Sequence, residues 1–99
     1  MNMLERRSES GVAIELDGEM TLACASELKI RLLQALESGV PVALQLDAVT
    51  EIDLACLQLL LAARSSFQAR GVGLDIRVDP AGAVQASCVA AGLQRLAGG

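Results

Sequence analysis

Between positions 47 and 56 the chain sets three carboxylates and a thiol close together: Asp47, Glu51, Asp53 and Cys56. Paired carboxylates do acid–base chemistry when one pKa is raised above the other. The same oxygens can hold a hard cation, but no recognised calcium-loop spacing occurs here. A cysteine at a helix start can ionise early, because the helix dipole favours thiolate. Catalysis by Cys56 would need a base, and the chain has no histidine. Asp53 next door would oppose thiolate formation as well. A structural reading fits these side chains better: Asp47 ends a strand, Glu51 is solvated, Asp53 caps a helix through its N–H groups, and Cys56 is buried and inert. These residue types do not point to an enzyme.

The elements that position them follow from hydrophobic spacing. Val42 to Leu46 reads as an apolar strand, the segment with Asp47, Thr50, Glu51 and Asp53 as a short acidic turn, and the Leu-rich run from Leu54 as a helix. A strand feeding a helix is the half-unit of parallel α/β sheets, and its strand end is where such proteins place working surfaces. Along that helix Leu57, Leu60 and Leu61 fall on the side toward the sheet. Ala55, Leu59, Ala62 and Ser66 fall on another, either as a solvent face or as a docking strip for a protein partner.

Upstream, Leu4 to Arg7 is a strand candidate, Ser8-Glu9-Ser10-Gly11 a four-residue hairpin loop, and Val12 to Leu16 alternates as a strand with unlike faces. Asp17-Gly18-Glu19 reads as a turn. Thr21 is placed to cap a helix over Leu22 to Ser38, with Leu28, Leu32, Leu33 and Leu36 at helical spacing and Gly39 as its stop. Downstream, Leu74, Ile76 and Val78 alternate as a further strand. Asp79-Pro80 then reads as an N-cap and first helical position for a helix from Ala81 to Ala91, stopped by Gly92 and clasped by Leu93 and Leu96. The predicted fold is α/β in the order β-β-α-β-α-β-α, a mixed sheet of about four strands with three or four helices. It forms one domain over 1–99, without internal repeat or linker.

Composition narrows the function. The net charge of −4 and the scattering of Arg6, Arg7, Arg31, Arg64, Arg70, Arg77 and Arg95 leave no basic stripe for nucleic acid. One phenylalanine and no tyrosine or tryptophan leave almost nothing for base stacking. Cys24, Cys56 and Cys88 form no CxxC and have no histidine beside them, so no zinc or other metal site is expected; Cys24 and Cys88 read as small buried hydrophobes. Gly71-Val72-Gly73 precedes a strand, so it cannot cradle a nucleotide, and no cofactor is implied. No apolar run is long enough to insert in a membrane, and MNMLERRSES lacks a signal core, so a cytoplasmic location is expected.

The order of elements resembles the STAS domain, as does Leu46-Asp47-Ala48-Val49-Thr50-Glu51-Ile52-Asp53 followed by Cys56-Leu57-Gln58-Leu59-Leu60-Leu61. Asp17-Gly18-Glu19-Met20-Thr21 and Gly92-Leu93 resemble further landmarks of that family. Its members include bacterial anti-sigma factor antagonists, sulfate-transporter tails, and relatives in chemosensory and lipid-transport systems. In the family the helix opens with Asp, two small residues and Gly, and a Ser or Thr there is phosphorylated by a partner kinase. Here those positions read Asp53, Leu54, Ala55 and Cys56. Neither Leu54 nor Ala55 has a hydroxyl, so the resemblance implies a module without its usual phospho-switch. Thr50 is the nearest hydroxyl that could substitute, although a turn or capping role suits it better.

The resemblance implies a signalling or regulatory function through protein binding. The expected surface is Asp17, Glu19 and Thr21 together with Asp53, Leu54, Ala55, Cys56 and Leu59. The expected partner is an anti-sigma factor or serine kinase, or a chemosensory protein. The alternative is an ATPase held by a STAS subunit of a lipid or solute transport complex.

Overall fold

The computed structural model describes residues 2–90. The elements run β1 (Asn2–Ser8), β2 (Gly11–Met20), α1 (Leu22–Ser38), β3 (Val42–Ile52), α2 (Leu54–Arg70), β4 (Leu74–Arg77) and α3 (Ala83–Ala90). They follow the predicted order. The sheet order is β1-β2-β3-β4, with β1 antiparallel to β2 and the other pairs parallel.

The core lies on one face of this sheet. Val12, Ile14, Leu16 and Met20 of β2 point there with Val42, Leu44, Leu46, Val49 and Ile52 of β3. They meet Leu28, Leu32 and Leu36 of α1, Cys56, Leu57, Leu60 and Phe67 of α2, and Val84 and Cys88 of α3 in one cluster. Burying a leucine or phenylalanine side chain contributes about 1.5–3 kcal/mol. Gly39 and Gly71 end α1 and α2 in the left-handed conformation, and each helix closes with the same pair of hydrogen bonds. Gly39 N–H donates to Leu36 O and Val40 N–H to Ala35 O; Gly71 and Val72 repeat this on Gln68 and Phe67. Arg31 joins β1 to α1, pairing at 3.0 Å with Glu5.

Both long strands run further than their alternation indicates. Asp17-Gly18-Glu19 is not a turn but the upper part of β2, and the acidic segment 47–52 continues β3. The cause is bulging. Asp17 pairs with Ala48 and Glu15 with Gln45, so β3 spends three steps where β2 spends two; Gly18 to Glu19 against Val49 to Glu51 repeats the mismatch. Core residues therefore recur as Leu46, Val49 and Ile52, at a spacing of three rather than two. Thr50 falls in this second bulge as an exposed strand residue, neither turn nor cap.

Three smaller corrections concern turns. Ser8 pairs with Gly11, so the hairpin loop has two residues, Glu9 and Ser10, rather than four. Gly11 sits at φ 144°, and a Cβ there would lie 2.5 Å from the Pro41 carbonyl oxygen, which accepts from Val12 N–H. β4 stops at Arg77, before Val78. Asp79 Oδ1 accepts from Ala81 N–H at 3.0 Å and Asp79 O from Gly82 N–H, forming a turn that delays α3 to Ala83. The expected roles of Gly92, Leu93 and Leu96 lie outside the described residues.

Candidate functional site: the paired helix starts

At the upper end of the sheet β2 and β3 stop side by side. Glu19 pairs with Glu51 and Met20 with Ile52, so the next residues, Thr21 and Asp53, are the N-cap positions of adjacent helices. Asp53 is an effective cap: its Oδ1 accepts from Cys56 N–H at 2.8 Å, and that backbone hydrogen bond holds its carboxyl below the ordinary range. Thr21 occupies the same position on α1 without capping it; its Oγ1 donates to Cys24 Sγ at 3.7 Å.

Cys56 fills the corner between the end of β2 and the start of α2. It is fully buried, and Sγ–H donates to Met20 O at 3.4 Å, fastening the start of α2 to the end of β2. Burial first, then the Asp53 carboxylate, push its thiol up to about 12. A thiol this reluctant to ionise cannot act as a nucleophile near neutral pH. Burial also pushes the Cys88 thiol up, whereas Cys24 is only half-buried and not the core residue its type led us to expect.

The remaining expected residues divide into two groups. Asp17, Glu19, Thr21, Asp53, Leu54 and Ala55 are exposed around this corner. Leu59 lies apart from them, half-buried between α1 and α2, where with Leu33, Ala62 and Ser66 it lines a hollow of about 110 Å³. Leu57 and Leu60 are buried on the sheet side, while Leu61 is only half-buried and Leu33 is exposed. Asp47, Glu51 and Asp53 do not gather into a metal site, and among the described residues no cluster of three such ligands forms.

The structure also brings out what sequence reading missed. Glu19-Met20-Thr21-Leu22-Ala23-Cys24 and Glu51-Ile52-Asp53-Leu54-Ala55-Cys56 are one short motif written twice, and the parallel register lays the copies next to each other. An internal repeat does exist. Six residues are too few to stand out in one chain, but the equal spacing of Cys24 and Cys56 from their strands was the available signal. Leu22 and Leu54, the first residues of the two helices, are 65% and 55% exposed. Leu4, Ile30, Leu33 and Val89 are the other large apolar residues left exposed among the described residues.

A four-stranded mixed sheet with helices over one face, and a capped strand–helix corner at its upper end, define a SpoIIAA-like α/β fold. Solved structures share it. An anti-sigma factor antagonist from Mycobacterium paratuberculosis superimposes with a TM-score of 0.74 at 17% identity, over 92% of this chain and 77% of that one. The Bacillus cell fate determinant SpoIIAA in its phosphorylated form gives 0.73 at 15% identity, over 93% and 85%. A structure described as Mglu gives 0.68 at 26% identity, but this chain spans only 19% of its length. No curated protein matches in sequence. The family model for the Mlab STAS domain matches residues 3–98, so the chain belongs to the STAS domain family. No helix among the described residues is long and apolar enough to cross a membrane.

Proposed function

We propose that this protein is a non-enzymatic, cytoplasmic regulatory module of one domain that binds another protein through the paired helix starts. The observation that carries this reading is the exposure of Leu22 and Leu54, each opening a helix just beyond the register partners Met20 and Ile52. Burial against a partner would recover the apolar area of both leucines. The partner suggested by the antagonist likeness is an anti-sigma factor or serine kinase, or a chemosensory protein. SpoIIAA has a phosphorylated form. Leu54 and Ala55 deny this chain the family's acceptor hydroxyl, so its corner stays in the unmodified state. A phosphate brings a charge of about −1.5 to −2, which beside Asp53 and the two glutamates would oppose docking.

A second reading is a STAS subunit of a lipid or solute transport complex, holding an ATPase. It is favoured by the matching model being that of the Mlab STAS domain. Constant attachment suits a surface that cannot be switched off by phosphate. Capture of the tagged protein from its native lysate, with intact mass measured on the bait, separates these readings. A small kinase-like or chemosensory protein on an unmodified bait supports the first, and an ATPase with membrane components the second. A stoichiometric phosphate on Thr50 would contradict the unswitched corner.

A further inference from the structure

The two copies of the repeated motif also bring two glutamates together. Glu19 and Glu51 are register partners on neighbouring parallel strands, about 4.8 Å apart along the hydrogen-bonding direction. Both are exposed, and among the described residues neither forms an ion pair. Like charges facing each other across strands are destabilising. Asp53, exposed two residues beyond Glu51, adds a further carboxylate, while among the described residues the lysine and arginines of α1 and α2, at 29, 31, 64 and 70, lie beyond the first turns of those helices. Three carboxylates, Glu19, Glu51 and Asp53, therefore lie within three residues of the two leucines along the chain.

We propose that this surface takes a cationic amphipathic segment of its protein partner. An apolar side chain of the segment lies against Leu22 and Leu54, and Lys or Arg residues flanking it meet Glu19 and Glu51. This rests on the docking reading above and specifies the chemistry of the partner. The repeat explains the spacing: each copy supplies one glutamate and one leucine at matching positions, and the second adds Asp53, so the surface asks for two cations rather than one. A second carboxylate that costs the free domain stability becomes favourable once a cation bridges the pair.

The probe is a pair of labelled synthetic peptides with one helical pattern of leucines, carrying either lysines or glutamates between them. Binding is read by fluorescence anisotropy and mapped by amide shifts in two-dimensional NMR. The lysine peptide should bind with shifts centred on 19–24 and 51–56, and the glutamate peptide should not bind. The Glu19→Gln, Glu51→Gln double variant should lose about tenfold in affinity, the effect of two exposed charge pairs of about 0.7 kcal/mol each. Raising ionic strength from about 0.01 to about 0.15 M should weaken the wild type more than this variant, as the Debye length falls from about 30 to about 8 Å. Equal binding of both peptides, shifts elsewhere, or an unchanged affinity in the double variant would overturn the proposal. Repeating the native capture distinguishes the two levels. If Leu22→Ser, Leu54→Ser loses the cellular partner while the glutamine variant keeps it, docking stands and the cationic segment is wrong; if neither variant loses it, both are wrong.

Discussion

The first turns of α1 and α2 start from the same residues and end in different physical states. Both follow a Glu–apolar strand end, both open with Leu-Ala-Cys, and both helices span 17 residues to a left-handed glycine. Only the second is locked down. Asp53 caps α2 where Thr21 leaves α1 uncapped, and Cys56 is sealed against Met20 O where Cys24 stays half-exposed. One substitution at the cap position and one difference in burial set a capped, sealed corner beside an uncapped, half-open copy. The leucine and alanine between cap and cysteine stay exposed in both. The copies share an exposed Leu-Ala pair and differ in the cap side chain and in how deeply the cysteine is buried.

That contrast can be broken first at the cysteines. Cys56→Asp should cost more than about 3 kcal/mol, because it buries an unpaired carboxylate, while Cys24→Asp should cost well under half of that. Urea unfolding of the two variants is the comparison; equal losses would mean that the two thiols occupy equivalent sites. In the native protein, iodoacetamide should modify Cys24 well ahead of Cys56, as read by peptide mass spectrometry.

A smaller effect belongs to the caps. Asp53→Ala should lower the urea midpoint, Thr21→Ala should leave it nearly unchanged, and Thr21→Asp should raise it by giving α1 the cap it lacks. The cap also carries a pH signature. The folded pKa of Asp53 lies below the ordinary 3.8, so its contribution is present above that value and is lost as pH falls through the lower folded one. The stability gap between wild type and Asp53→Ala should therefore be constant near neutrality and close under more acid conditions. A gap that widened on acidification would contradict the cap. The smallest effect is expected from Ala55→Ser, an exposed change worth less than about 0.5 kcal/mol. If it gains phosphate from a cognate kinase and ATP, only the hydroxyl is missing here; if it stays unmodified under those conditions, the corner has diverged further.

Elements with one uninterrupted period were legible in the sequence. Leu22–Ser38 has the bounds its leucine spacing and Gly39 set out, and α2 begins at Leu54 behind Asp53 as read. The upper halves of β2 and β3 were not legible, because a bulge shifts side-chain alternation and turns Leu46, Val49 and Ile52 into a pattern without a period of two. Gly18 and the acidic residues then imitate turn chemistry. Of the proposed site residues, Asp53, Leu54 and Ala55 were read at a helix start, where the structure places them. Leu22 and Glu51 were passed over as site residues, since only the parallel register shows that they double Leu54 and Glu19. Leu59 was placed with them by helical spacing, although α1, contributed from elsewhere in the chain, half-covers it.

The most direct test is hydrogen–deuterium exchange on the protein alone and in complex with its captured cellular partner. Slower exchange in the complex at both 19–24 and 51–56, with little change in the β1–β2 hairpin, is the predicted result. Protection confined to one copy, to the groove at Leu33 and Leu59, or to the hairpin would contradict a partner surface built from the paired helix starts.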